Sequence, residues 1–238
     1  MSSHLTRKEM KRDEVRDFIA RSMDFVQEHH RRILQIVAAV VGIVVVSAVV
    51  TVLLGSREAK AQESLSRALL LYGAVIDPVE PDPDHETAPS FATEGERRTA
   101  AQGAFQDIVD SHGGTAAGAV ARVYLGEIAL ATGDPERARR LWGEFLDGSA
   151  DHVLAGSVIL NLVRLDREDG NYDGAIARLE ADLDSSRSAL PQDVVLFELG
   201  ETFEIAGRGD DARATFQRLL DEHPASSYAA EARRSLTS

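Results

Sequence analysis

This chain of 238 residues contains no cysteine, so the side chains of a metal site would have to come from its seven histidines and 39 acidic residues. Thiolate nucleophiles, Cys-ligated zinc and disulfides are thereby excluded, as is a lipid on an N-terminal cysteine. His85 lies between Asp84 and Glu86. Oxygen ligands beside an imidazole would suit a divalent cation, but Pro78, Pro81 and Pro83 scatter those oxygens, and a solvated acidic loop is the simpler reading. His29 and His30 are adjacent, so they point about 100° apart on a helix and form no metal pair. His112, His152 and His223 fall at or just after expected helix ends, where an imidazole meets free carbonyls. Gly-x-Ser-x-Gly, His-Glu-x-x-His, phosphate-loop and dinucleotide signatures are missing. The expectation is a protein without catalytic residues, metal or cofactor, which acts through its surface.

The elements that would present that surface are arranged around Ile33 to Leu54, 22 uncharged residues of which 15 are Val, Ile or Leu. At roughly 1.5 Å per residue such a helix reaches across a hydrocarbon core of roughly 30 Å, so it reads as a membrane span. Its hydroxyls, Ser47 and Thr51, can return their hydrogen bonds to the backbone one turn earlier. The span separates a head, residues 1–32, from a body, residues 57–238. The head holds 8 of the 26 basic and 6 of the 39 acidic residues, which leaves 18 basic and 33 acidic residues beyond it. A body so acidic repels phosphate backbones, and no nucleic-acid partner is expected.

Arg31 and Arg32 abut the start of the span, and this pair with the eight basic residues of the head places the N-terminus in the cytoplasm and the body outside it. Ala59-Lys60-Ala61 has the form of a signal-peptidase site, but the apolar run is too long and the head too extended for a cleaved leader. Within the head, Val15, Phe18, Ile19, Ser22, Phe25 and Val26 follow helical spacing, an amphipathic stripe able to lie on the inner leaflet or to dock on a partner. Ala38 and Gly42 form one small-xxx-small pair in the span, the feature on which a homo-oligomer would rest.

Beyond the span, a helical pattern from Arg57 to Ile76 carries Leu65, Ala68, Leu69 and Tyr72 on one face. Three prolines and several acids then predict an exposed loop over residues 77–92. The rest of the chain repeats every 37 residues: Gly133, Gly170 and Gly207; Ala138, Ala175 and Ala212; Leu125, Leu162 and Leu199; Trp142, Leu179 and Phe216; Leu146, Leu183 and Leu220. Each repeat reads as a helical hairpin with a glycine turn, an alanine where the second helix packs closely on the first, and a large side chain filling the space. The hairpins span about 119–150, 156–187 and 193–224, with one more helix, 226–236, closing the array. One period earlier, Ala101, Phe105 and Val109 place the helix from Thr93 to Ser111 as the second half of a leading hairpin, with 57–76 as its first half.

These columns resemble the tetratricopeptide repeat. The small residue of its first helix falls on Gly126, Val163 and Gly200, its alanine on Ala138, Ala175 and Ala212, its large residue on Trp142, Leu179 and Phe216, and its closing proline on Pro224 alone. Val163 and the period of 37 depart from the family pattern. The implied fold class is all-α: an N-terminal single transmembrane helix, then a tetratricopeptide-like α-solenoid of helical hairpins. The resemblance implies a protein-binding groove lined by the first helices at Val123, Glu127 and Leu130, at Leu160, Arg164 and Arg167, and at Phe197, Glu201 and Glu204. There the middle repeat is basic and the third acidic. That could clamp a segment of alternating charge, or the arginines could bridge to glutamates along the stack.

Head, span and acidic repeat body together resemble the bacterial inner-membrane family that includes the ancillary subunit of the Sec translocon. The resemblance implies a single-pass inner-membrane protein with a periplasmic domain, and protein partners or clients among which the translocon and periplasmic chaperones stand first. A homo-oligomeric scaffold in envelope assembly or cell division is the alternative it leaves open.

Overall fold

A computed structural model describes residues 42–76 and 89–237. The chain divides into two compact units, Met1–Ser56 and Arg57–Ser238. Helix α1 covers Gly42–Tyr72 and contributes residues to both. In the first unit, Ile43, Val46 and Val52 are 69%, 63% and 70% exposed, and the apolar side chains between them are similarly bare. A helix so long and so apolar, with none of that stretch buried in protein, has the dimensions and composition to cross a bilayer. Thr51 Oγ1 donates to the Ser47 carbonyl at 2.8 Å, the back-bond that lets a hydroxyl sit in such a helix. Ala38, the head with its paired histidines, and the start of the span lie outside the described residues.

In the second unit the remainder of α1 buries Ala61, Leu65 and Ala68. The helix stops at Tyr72, four residues before the expected Ile76, and Val75–Ile76 forms strand β1. Its partner β2, Ser90–Phe91, runs parallel to it, with Val75 opposite Ser90 and Ile76 opposite Phe91. β1 thus replaces the end of the helix expected to reach Ile76, and β2 falls inside the loop expected over 77–92. Two β-branched residues beyond the Gly73 turn favour extended backbone over another helical turn, and a bridge of two residue pairs carries no periodic signal. The His85 cluster lies outside the described residues.

Helices α2 (Glu94–His112), α3 (Ala116–Ala131), α4 (Pro135–Ser149), α5 (Ala155–Glu168), α6 (Tyr172–Leu183), α7 (Gln192–Ile205), α8 (Gly209–Glu222) and α9 (Ala229–Ser235) come next in the chain. α3–α4, α5–α6 and α7–α8 are hairpins with the same turn. Gly133, Gly170 and Gly207 have φ of 81°, 74° and 74°, a region that a side chain rarely enters. At each turn the glycine N–H and the next N–H return to carbonyls of the last helical turn, as in Asp134 N to Ala129 O at 2.9 Å and Asn171 N to Asp166 O at 2.8 Å. Asp134 and Asn171 then cap the second helices by accepting from Arg137 N and Gly174 N, and Pro135 opens α4 where no N–H is needed.

The hairpins share three apolar clusters, each spanning a junction. Phe105 and Ile108 join α1, α2 and α3. Trp142, Phe145 and Val158 join α3, α4 and α5, and Leu179, Leu196 and Phe216 join α5 through α9. A Cβ at Gly126 would have three Trp142 ring atoms within 2.7 Å, and one at Gly200 three Phe216 ring atoms within 2.7 Å. The glycines therefore make room for the large rings. In the middle repeat the pair is Val163 and Leu179, both buried in one cluster. The departure at Val163 is compensated, since volume gained on the first helix is given up on the second.

Candidate protein-binding groove

Positions spaced by four and three residues on α3, α5 and α7 form one stripe per helix, and side-chain contacts tie α1 to α3 and α5 to α7 along them. Tyr72 Oη of α1 donates to Glu127 Oε2 of α3 at 3.2 Å. Arg167 of α5 reaches α7, where its Nη2 donates to the Glu198 carbonyl at 2.6 Å and to the Glu198 carboxylate at 2.7 Å. Its Nε donates to Thr202 Oγ1 at 2.9 Å. Thr202 is fully buried and passes its own hydrogen to the Glu198 carbonyl at 2.6 Å.

The apolar residues expected in the groove lie deep. Val123 is buried, and its carbonyl accepts from Trp142 Nε1 at 3.1 Å, which satisfies the indole without a side-chain partner. Leu130 and Leu160 are partly covered, packed on two of the clusters. Phe197 is 8% exposed, with Phe216 at 6.1 Å on its inner side and Tyr228, just before α9, stacked on it with centroids 4.4 Å apart. The polar residues divide. Arg167 is committed to α7, the bridging alternative, whereas Arg164 stays open with only Glu168 at 3.9 Å. Glu204 is exposed. Glu201 is half-buried, and burial raises its carboxyl pKa, reinforced by Glu204 and Glu231 and, weakly, Glu198, with Arg167 opposing. A stripe that read as basic in the middle repeat and acidic in the third thus keeps one exposed arginine, Arg164, loosely paired with Glu168, and an acidic end.

Two aspartates went unnoticed in the sequence although the columns mark them. Asp166 occupies a column whose other members are Ala129 and Phe203, and Asp182 one shared with Phe145 and Leu219. Asp166, 4% exposed, accepts from Arg139 at 2.7 Å, Asn171 at 3.3 Å and Arg178 at 3.4 Å, tying α4, α5 and α6 together. Arg139 also pairs with Asp169. Asp182, 8% exposed, accepts from Ala189 N at 2.8 Å, Leu190 N at 3.2 Å and Ser188 Oγ at 2.8 Å. It holds the long turn between α6 and α7. A carboxylate in an apolar column is a buried charge that must find donors, so the break in periodicity was its signal.

His152 accepts from Leu154 N at 3.1 Å with its ring edge-on to Phe145, and His223 caps α8. No group of three or more His, Asp or Glu among the described residues could hold a metal ion. A search among curated proteins finds no match to this chain. A family model described as a tetratricopeptide repeat-like domain matches residues 33–236, the span included. Such repeat domains are typically non-catalytic protein-interaction modules. With three glycine-turned hairpins, α3 to α8, inside that match, the chain belongs to the tetratricopeptide repeat-like family.

Proposed function

We propose that the protein is a membrane-anchored recruitment module: residues 33–54 cross the inner membrane, residues 1–32 stay in the cytoplasm, and the repeat body binds protein partners in the periplasm. The observation that carries this reading is the joining, in one chain, of an apolar helix fit to span a bilayer and a repeat domain of an interaction family. Arg31 and Arg32 support the orientation, since moving them outward works against the membrane potential at roughly 2.3 kcal/mol per charge per 100 mV. Within this reading, an ancillary role at the Sec translocon or with periplasmic chaperones is the assignment the architecture favours.

The surface proposed for binding is the first-helix stripe, with Arg164 and Glu204 as open polar contacts above partly covered Leu130 and Leu160. Photoreactive residues at Arg164 and Glu204 should capture discrete partner proteins, and products consisting only of the chain itself would remove the recruitment reading. A reporter active only outside the cytoplasm, fused after Ser238, should be active. An inactive one would put the repeats in the cytoplasm and end the translocon assignment.

A further inference from the structure

Helices α5, α7 and α9 start at Ala155, Gln192 and Ala229, each 37 residues after the last, so α9 stands where the first helix of a further hairpin would stand. It has seven residues, too few to hold a helix without tertiary support. Its buried side chains are two alanines, Ala229 and Ala232, which remove little apolar area from water. The segment before it adds to that hold. The Tyr228 ring lies on Phe197 with planes inclined by 20°, and Ser226 Oγ donates to Asp193 Oδ2 at 2.8 Å. Leu236 adds a partly buried contact at the far end.

Carboxylates oppose this docking. Glu201 lies one turn beyond Phe197 on α7 and is half-buried. It feels Glu198 and Glu204 from its own helix and Glu231 from α9, with Arg167 of α5 as the opposing cation. Arg234 of α9 is 4.0 Å from Glu231 at the surface. Undocking α9 relieves the repulsion between Glu201 and Glu231, and so does protonating Glu201.

We propose that α9, together with Tyr228, is a detachable arm that closes the α7 end of the first-helix face, and that its hold tightens on acidification. Detachment bares Phe197, one of the positions assigned to the groove, so the arm occupies that end in place of a partner. This consequence for binding rests on the proposed recruitment surface, whereas detachment itself does not. The sign comes from linkage: Glu201 binds its proton more readily when α9 is docked, so docking strengthens as pH falls through the raised pKa.

The chain has no cysteine, so single cysteines report opening without background. In the full-length protein in detergent, Ala232→Cys probes the buried face of α9, Ala230→Cys its exposed face, and Ala212→Cys the buried core of α8. At about pH 7.5, Ala232→Cys should react with a thiol reagent about tenfold or more slower than Ala230→Cys, yet about tenfold or more faster than Ala212→Cys, because the arm opens without the domain. As pH falls from about 7.5 toward the ordinary glutamate value of 4.5, the protection of Ala232→Cys relative to Ala230→Cys should rise, and Glu201→Gln should abolish the rise. Equal protection at 232 and 212 would mean that α9 opens only with the whole domain, and would overturn the arm. A pH response unchanged by Glu201→Gln would overturn the acid tightening. If circular dichroism finds Ala212→Cys misfolded, hydrogen exchange at the α8 amides of the unsubstituted chain supplies the same reference. Neither outcome depends on whether partners are captured at Arg164.

Discussion

Volume and charge at single positions are balanced against specific neighbours. Gly200 exists for the Phe216 ring, so Gly200→Val should destabilise the domain by about 1–3 kcal/mol through overpacking. Pairing it with Phe216→Leu reproduces the combination that the middle repeat uses at Val163 and Leu179. The double variant should recover at least about 1 kcal/mol over the sum of the single changes, read as a coupling energy in a urea-denaturation cycle. Additive losses would mean that the two positions do not share the space. At Asp166 the balance is ionic. Removing one partner of a buried pair costs about 3–5 kcal/mol, but Arg139 and Arg178 keep water within reach, so Asp166→Ala should cost about 2–3 kcal/mol. A midpoint shift close to zero would show that the network contributes specificity without stability.

Elements here owe their limits to turns and their stability to neighbours. Gly170 has open space where a Cβ would go, so Gly170→Ala isolates the backbone effect. The left-handed conformation costs about 1–2 kcal/mol, offset by about 0.4–1 kcal/mol from a stiffer unfolded chain. A net loss of about 1 kcal/mol is expected in thermal denaturation. The second half of α1 is the opposite case, because it is held by packing. Tyr72 sits edge-on to Phe105 at 6.1 Å and to Tyr124 at 5.1 Å, and those two rings stack at 5.0 Å. A fragment beginning at residue 57 should therefore be helical and cooperative without detergent. One beginning at residue 89 bares that cluster and should melt earlier or aggregate, which circular dichroism against temperature would record.

For the molecule as a whole, the acid excess of the body falls unevenly. Arginines 122, 139, 167 and 178 are spent on bridges between helices, and where α7 meets α9 Glu201 feels Glu204 and Glu231, with Arg167 as the opposing cation. Glu201, with its raised carboxyl pKa, weakens the fold when ionised. Its penalty is present in full above that raised pKa, is relieved as pH falls toward the unfolded value of 4.5, and is gone below it. Glu201→Gln should consequently be more stable than the parent at neutral pH and lose that advantage on acidification. Chemical denaturation at a series of pH values would test this, and a constant difference would remove Glu201 as the source.

Periodicity made most of this architecture legible. An uncharged run of 22 residues is long and apolar enough to cross a bilayer, and columns of Gly, Ala and Leu spaced by 37 residues suit hairpins that bury one another's faces. Both are local or repeating constraints, so they are written in the order of residues. The β1–β2 bridge escaped notice because two residue pairs carry no period. The fate of the stripe residues was equally hidden. Arg164 and Arg167 are alike in type and three residues apart, yet one faces solvent and the other is locked to Glu198 and Thr202. Phe197 reads as a groove residue until Tyr228, 31 positions later, lies over it. Which charges are spent and which rings are covered depends on neighbours brought together by stacking, and that only the tertiary structure decides.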